Sequence, residues 1–252
     1  MESRMMLDFG NINAGTVYVS YEHHSAVQAQ EYIKSDGTSS RYLGFRDIPS
    51  LLRKYVNGKL ALDYGSGTGI SSRFLKSEGF IVTGVDISEA MVAQATIQTT
   101  GIPFKVISTG RIPEEDNVFD LVFSSLVILE LSNQHEMLSY FSEAKRVLKT
   151  NGVFITLTNS SDLYSLDWYC LQTSYPENKN LNNGSLAKAY VPDAGIEFTD
   201  YFWHENNVTQ NLEQAGFEVL EIHHPLGNAS DGFPWKMETT KSPFAIFVVK
   251  KL

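Results

Sequence analysis

Three glycines spaced two apart, Gly65, Gly67 and Gly69, follow an apolar run and an acidic residue, Asp63, in the stretch LALDYGSGTGIS. A glycine-rich turn between a strand and a helix lets a ligand touch the backbone, and the helix start beyond it offers N–H groups without intrahelical partners. The dinucleotide fingerprint, G-x-G-x-x-G, needs its third glycine where Ile70 stands, so the spacing speaks against a pyrophosphate. Asp63 speaks against it too: two residues before the turn, a carboxylate repels two phosphates and attracts an ammonium group, directly or through water.

Asp86 closes the next apolar run, VTGVDIS, 21 residues after Gly65. From there an acidic side chain accepts hydrogen bonds from both ribose hydroxyls. The competing reading of Asp86, a cap on the following helix, is weakened by Ser88, which can do that job. Ribose and ammonium without phosphate together describe S-adenosylmethionine.

The elements that must position these residues alternate from about residue 59 to 159. Apolar runs KLALDYG, FIVTGVDIS, PFKVIST, FDLVFSS and GVFITLTN are separated by amphipathic segments, and such alternation predicts a parallel sheet wrapped by helices. SEAMVAQAT, with Ser88 as its cap, and HEMLSYFSEAKRVLKTNG, running to Gly152, are expected as crossover helices, with SAVQAQEYIKSDG and RDIPSLLRKYVNG as helices before the first strand. The tail is expected to add strands at GIEFTDYFW, FEVLEIHHP and FAIFVVKK around the helix HENNVTQNLEQAG. We therefore expect one domain over residues 1–252: N-terminal helices at 1–58, a cofactor-binding core at 59–159, an irregular, aromatic and Asn-rich cap insertion at 160–194, and C-terminal strands and a helix at 195–252.

The net charge of −9 repels phosphate backbones, which removes long nucleic acids as partners. The longest apolar runs are far too short to cross a bilayer, and the start MESRMMLDFG has no basic and apolar leader. A soluble, cytoplasmic protein without membrane partners is expected. The single Cys170 fits a reducing compartment and has no evident base partner. The adjacent histidines in EHH and IHHP would point to opposite faces of a strand, so no metal site is expected.

Four stretches, ALDYGSGTG, VTGVDISEAMVAQA, IPEEDNVFDLVFSSLVILEL and EAKRVLKTNGVFITL, stand in the order and spacing of the class I S-adenosylmethionine-dependent methyltransferases, which the chain resembles from about Leu60 to Asn159. The resemblance implies a Rossmann-like α/β fold, a seven-stranded, mainly parallel sheet whose last strand is antiparallel, with the cofactor across the carboxyl ends of the strands. Carried over, it places Asp63, Gly65, Ser66, Gly67 and Gly69 at the methionine end and Asp86 at the ribose. Ile87 and Met91 would pack the adenine, and Thr109, Gly110, Arg111 and Ser125 complete the cofactor set. Arg41 lies in SSRYLGFRDIPSLL, the place from which glycine N-methyltransferase-like members send an arginine to the cofactor carboxylate. The paired histidines that many members carry after the fourth strand are missing from SSLVILEL. Glu130 is the only ionisable group there, and a solvated residue at a helix start is the favoured reading of it. The Asn/Asp-Pro-Pro-Tyr signature is absent as well.

Transfer from a sulfonium needs mainly alignment and exclusion of water, so no catalytic residue is named from the sequence. A small-molecule acceptor, methylated at N or O, is expected between the N-terminal segment and the cap, at Tyr18, Tyr21, Trp168, Tyr201 and Trp203, because large apolar walls with few polar groups suit such a substrate. The competing readings are a cofactor-binding protein without transfer activity, and a methyltransferase acting on RNA or protein.

Overall fold

The computed structural model describes residues 17–19, 37–108 and 111–252. A short strand, β1 (Val17–Val19), precedes helices α1 (Ser39–Phe45) and α2 (Ile48–Tyr55). Then comes the expected alternation: β2 (Leu60–Tyr64), α3 (Ile70–Ser77), β3 (Ile81–Asp86), α4 (Glu89–Gln98), β4 (Phe104–Val106), β5 (Phe119–Ser125), α5 (Gln134–Val147) and β6 (Leu148–Asn159). The chain closes with β7 (Ser185–Val191), β8 (Ile196–Phe202), α6 (Glu205–Gln214), β9 (Phe217–His223) and β10 (Phe244–Lys251). The expected helix SAVQAQEYIKSDG lies outside the described residues.

The main sheet has seven strands in the order β4-β3-β2-β5-β6-β10-β9. Strands β4, β3, β2, β5 and β6 pair in parallel, and the last strand, β10, runs antiparallel to both its neighbours. Alternate side chains of each central strand feed two separate cores. Ala61, Leu121, Ile155 and Ile246 pack with Leu43, Leu51 and Leu75 of α1, α2 and α3. Their immediate neighbours Leu62, Val122, Phe154 and Phe247 pack with Phe141 and Leu212 of α5 and α6. Burial on both faces is why these strands read as continuous apolar runs rather than as alternation.

Local signals set the helix starts. Ser88 Oγ accepts a hydrogen bond from the Met91 amide (3.3 Å), and Asn133 Oδ1 accepts one from Glu136 (3.0 Å). The helix expected to reach Gly152 ends at Val147 instead, because Leu148 already pairs with Phe119 of β5 and draws the chain into β6.

The stretch GIEFTDYFW is a strand, β8, but it does not join the main sheet. It pairs antiparallel with β7 and parallel with β1 to form a second, three-stranded sheet, with Tyr18 opposite Glu197 in register. The segment read as irregular up to Ala194 thus contains β7, and position 194 falls in the turn between two paired strands. Among the described residues, no helix is long and apolar enough to cross a membrane.

Candidate functional site

Strands β2 and β5 end side by side at the centre of the sheet, and the loops leaving them form a cleft. The Tyr140 hydroxyl on α5 lies 3.2 Å from the Tyr64 carbonyl and 2.7 Å from Ser124 Oγ, tying these two strand ends together from below. Between Tyr64 and α3 the chain turns through Gly65 (φ 81°), Gly67 (φ 50°) and Gly69 (φ 81°), all in the left-handed region that glycine adopts without steric cost. The Gly65 and Ser66 amides both donate to the Val85 carbonyl at 2.9 Å, which fastens the loop to β3. A Cβ on Gly65 would sit 2.2 Å from Val127 Cγ2, so the first glycine is also demanded by the loop that follows β5.

Asp86 anchors the same loop from the next strand. Its Oδ2 accepts from the Gly67 amide (2.8 Å) and its Oδ1 from the Ser88 amide (2.9 Å). Each carboxylate oxygen keeps further lone-pair capacity, so the group that shapes the turn can also accept from a ligand hydroxyl.

Asp63 is completely buried. Its Oδ2 accepts from Ser71 Oγ (2.7 Å) and Ser72 Oγ (2.5 Å), while Oδ1 has no partner. Burial pushes its carboxyl up to about 6; the Ser72 and Ser71 hydroxyls and the Arg41 charge pull the other way, and Asp86 adds to the rise. The folded protein therefore holds a proton that the unfolded chain releases near pH ~4. The contribution of this group to stability is expected to be most favourable below that pH, to decline as pH rises to about 6, and to level off above. Urea midpoints of the wild type and Asp63→Asn across this range check it: the difference between the two should change with pH in that window, and parallel profiles refute the assignment.

The cleft, about 240 Å³, is lined by Gly65, Ser66, Gly67 and Thr68 of the loop, Ile70 and Ser71 of α3, Ser125 of β5, and Arg41 of α1. Ser66 Oγ and Thr68 Oγ1 of this lining are buried without hydrogen-bond partners; Asp63 Oδ1 has none either, but Asp63 is fully buried and does not itself line the cleft. Such oxygens are costly to leave unpaired, and together they match the donors of an amino-acid head group. Arg41 offers the complementary cation. The residues present therefore fit the methionine end of S-adenosylmethionine.

Other expected cofactor residues fall differently. Ile87 is exposed directly after Asp86, whereas Met91 is buried in the first turn of α4, so Ile87 is the one offering open apolar surface beside Asp86. Arg111 is exposed, lines neither cleft nor cavity, and its charge acts on Glu143 of α5. Thr109 and Gly110 lie outside the described residues.

A second cavity, about 730 Å³, adjoins the first, and Arg41 lines both. Its walls are mostly apolar, among them Phe45, Leu126, Leu157, Val191, Phe198 and Phe244, with Thr38, Ser40, Asn159, Glu130 and Asp200 as polar members besides Arg41. The main sheet, α1 and the small sheet each contribute. Glu130, read from sequence as solvated, lines this cavity because the turn Ile128–Glu130 after β5 folds it back.

The expected aromatic contacts are mostly elsewhere. Trp168 is buried in the first core with Nε1 donating to the Leu163 carbonyl (2.7 Å). Trp203 is buried in the second core with Nε1 donating to Leu131 (3.0 Å), and Tyr201 packs against the same core. None of the three lines the cavity. Tyr18 lies on β1, beside β8, and Tyr21 lies outside the described residues. What sequence reasoning missed on β8 is Phe198 and Asp200. The signal was present: Ile196, Phe198, Asp200 and Phe202 share one face of the strand, opposite to Tyr201.

Comparison with known proteins agrees with this geometry. A family described as methyltransferase domain matches residues 62–156. The chain is 34% identical over 169 residues to a demethylmenaquinone methyltransferase of Tropheryma whipplei, covering 64% of this chain and 67% of that protein. It is 28% identical over 157 residues to a malonyl-[acyl-carrier protein] O-methyltransferase of Salmonella typhimurium, covering 60% and 56%. The chain spans about half the length of the first curated relatives it matches. Among solved structures, an S-adenosylmethionine-dependent methyltransferase from Listeria monocytogenes superimposes with a TM-score of 0.62 at 19% identity, over 84% of this chain and 99% of that one, a likeness of fold.

Proposed function

Because the chain belongs to the class I S-adenosylmethionine-dependent methyltransferases, we propose that it transfers a methyl group to a nitrogen or oxygen atom of a small-molecule metabolite. The observation that carries this reading is the junction of two unlike spaces at Arg41: a polar cleft with unsatisfied buried oxygens, and a larger apolar cavity roofed by the small sheet.

In this reading Asp86 holds the ribose hydroxyls, the buried Asp63 acts on the ammonium group through its charge, and Arg41 meets the carboxylate. Ile87 covers the adenine. When bound, S-adenosylmethionine supplies a methyl group on a positively charged sulfur that is its own leaving group. The protein's part is to hold an acceptor atom in line, about 3 Å from its target, and to keep water away. Phe45, Leu157, Phe198 and Phe244 line the cavity with apolar surface and do the second. The acidic net charge supports a small acceptor over RNA.

The test has two arms. S-adenosylhomocysteine, and not NAD, is expected to raise the melting temperature of the full chain. Labelled cofactor incubated with a metabolite extract is expected to pass its label to a small molecule. Binding without transfer would leave a cofactor-binding protein that does no chemistry, and stabilisation by NAD alone would overturn the cofactor assignment.

A further inference from the structure

We propose that Leu126 determines specificity, its side chain setting the girth of acceptor that fits where the two spaces meet; this rests on the reading of the larger cavity as the acceptor's seat. Within one peptide bond the chain passes from one space to the other: Ser125 lines the polar cleft and Leu126 lines the cavity. The next residue, Val127, occupies the space that a Cβ on Gly65 would need, so the same loop also covers the glycine turn. The end of β5 is therefore a border between the compartments, as Arg41 is.

The backbone is what turns Leu126 towards the cavity. Side chains of a strand alternate between its faces. Along β5, Val122 packs in the core of α5 and α6 and Phe123 in the core of α1, α2 and α3, while Ser124 Oγ accepts from Tyr140 in the former. Two residues on from Ser124, continued alternation would return Leu126 to the core of α5 and α6. Leu126 packs instead against the core of α1, α2 and α3, and Val127 against the other. The exchange of faces falls at Leu126, whose φ is 60°. That region is sterically costly for any residue with a Cβ and uncommon for a bulky one.

The turn is held firmly. The Leu126 amide donates to the Leu157 carbonyl at 2.8 Å, one residue beyond the end of the β5–β6 pairing. Leu157 also lines the cavity, and it packs so closely on α1 that a Cβ on Gly44 would lie 3.1 Å from its Cδ2. Glycine or asparagine supplies a left-handed turn at lower cost. The conformation alone thus does not account for a leucine; an apolar wall at the border does. Because the backbone beneath it is fixed, that wall yields little to a wide ligand, and overpacking it is unfavourable.

Calorimetry on the full chain saturated with S-adenosylhomocysteine tests this with two neutral alcohols as probes, the slender octan-1-ol and the bulky 1-adamantanol. Wild type is expected to bind octan-1-ol more tightly. Leu126→Gly, which keeps the turn and removes the wall, is expected to shift the ratio of the two affinities towards 1-adamantanol by at least about tenfold. Leu126→Asn keeps the turn and most of the side-chain volume, and is expected to keep the wild-type ratio. A wild type that prefers 1-adamantanol, a ratio unchanged in Leu126→Gly, a ratio moved as far in Leu126→Asn as in Leu126→Gly, or binding of neither alcohol by wild type and Leu126→Gly would each overturn the proposal and leave the cofactor reading standing. If S-adenosylhomocysteine itself does not bind, the underlying reading fails, and the proposal with it. Should Leu126→Gly not fold, Leu126→Ala decides: the ratio must move in the same direction, and an unchanged ratio overturns the proposal.

Discussion

Gly67→Val is expected to abolish detectable binding of S-adenosylhomocysteine, a loss of more than about 100-fold. Gly67 has φ 50°, and a β-branched residue there would carry a left-handed strain of ~1–2 kcal/mol before any ligand is considered. The added side chain would also enter the cleft, since Gly67 is one of its lining residues. Relief of the strain by turning the backbone would pull the Gly67 amide off Asp86 Oδ2, now 2.8 Å away, and so loosen the anchor of the whole turn. Calorimetric titration gives the affinity, and circular dichroism checks that the variant folds. A folded variant with wild-type affinity would remove the glycine turn from the cofactor site.

The second large effect is expected at Asp86. On the proposed ribose assignment, Asp86→Ala removes an ionised acceptor from two ribose hydroxyls and should weaken binding by about 2–3 kcal/mol, roughly 30- to 150-fold. It also strips the acceptor from the Gly67 and Ser88 amides, so the melting temperature of the protein without ligand should fall as well. Asp86→Asn separates the two roles, since its amide oxygen can still accept from one backbone amide while its charge is gone. Equal affinity in wild type and Asp86→Ala would contradict the ribose assignment.

The glycine turn and the place of Asp86 were legible in the letters because their geometry is imposed by the backbone. A turn that passes through three left-handed positions demands glycine at each of them, and the βαβ unit fixes how far along the chain Asp86 must stand. The acceptor side is written in a less distinctive alphabet. Leu126, Leu157 and Phe244 come from three parts of the chain that only the strand order brings together, and nothing separates them in type from core residues. Aromatic density misled for the same reason. Trp168 and Trp203 are large rings whose N–H groups are satisfied by backbone carbonyls inside the cores, an arrangement that packing alone explains. Asp200 was the readable exception, a single acid on the otherwise apolar face of a strand. The letters do not say that its strand, β8, belongs to the small sheet, and only that placement brings Asp200 to the cavity.

The roof of three strands lies outside the seven-stranded body and draws on two distant stretches of sequence. On the proposed function, selection can therefore rework what is admitted beneath it without disturbing the proposed seat of the nucleoside, much as a lock is rekeyed without changing the door. Arg41 alone among the described residues belongs to both compartments, so a lineage drifting towards a new partner molecule would be free at most positions of the roof and constrained at this one.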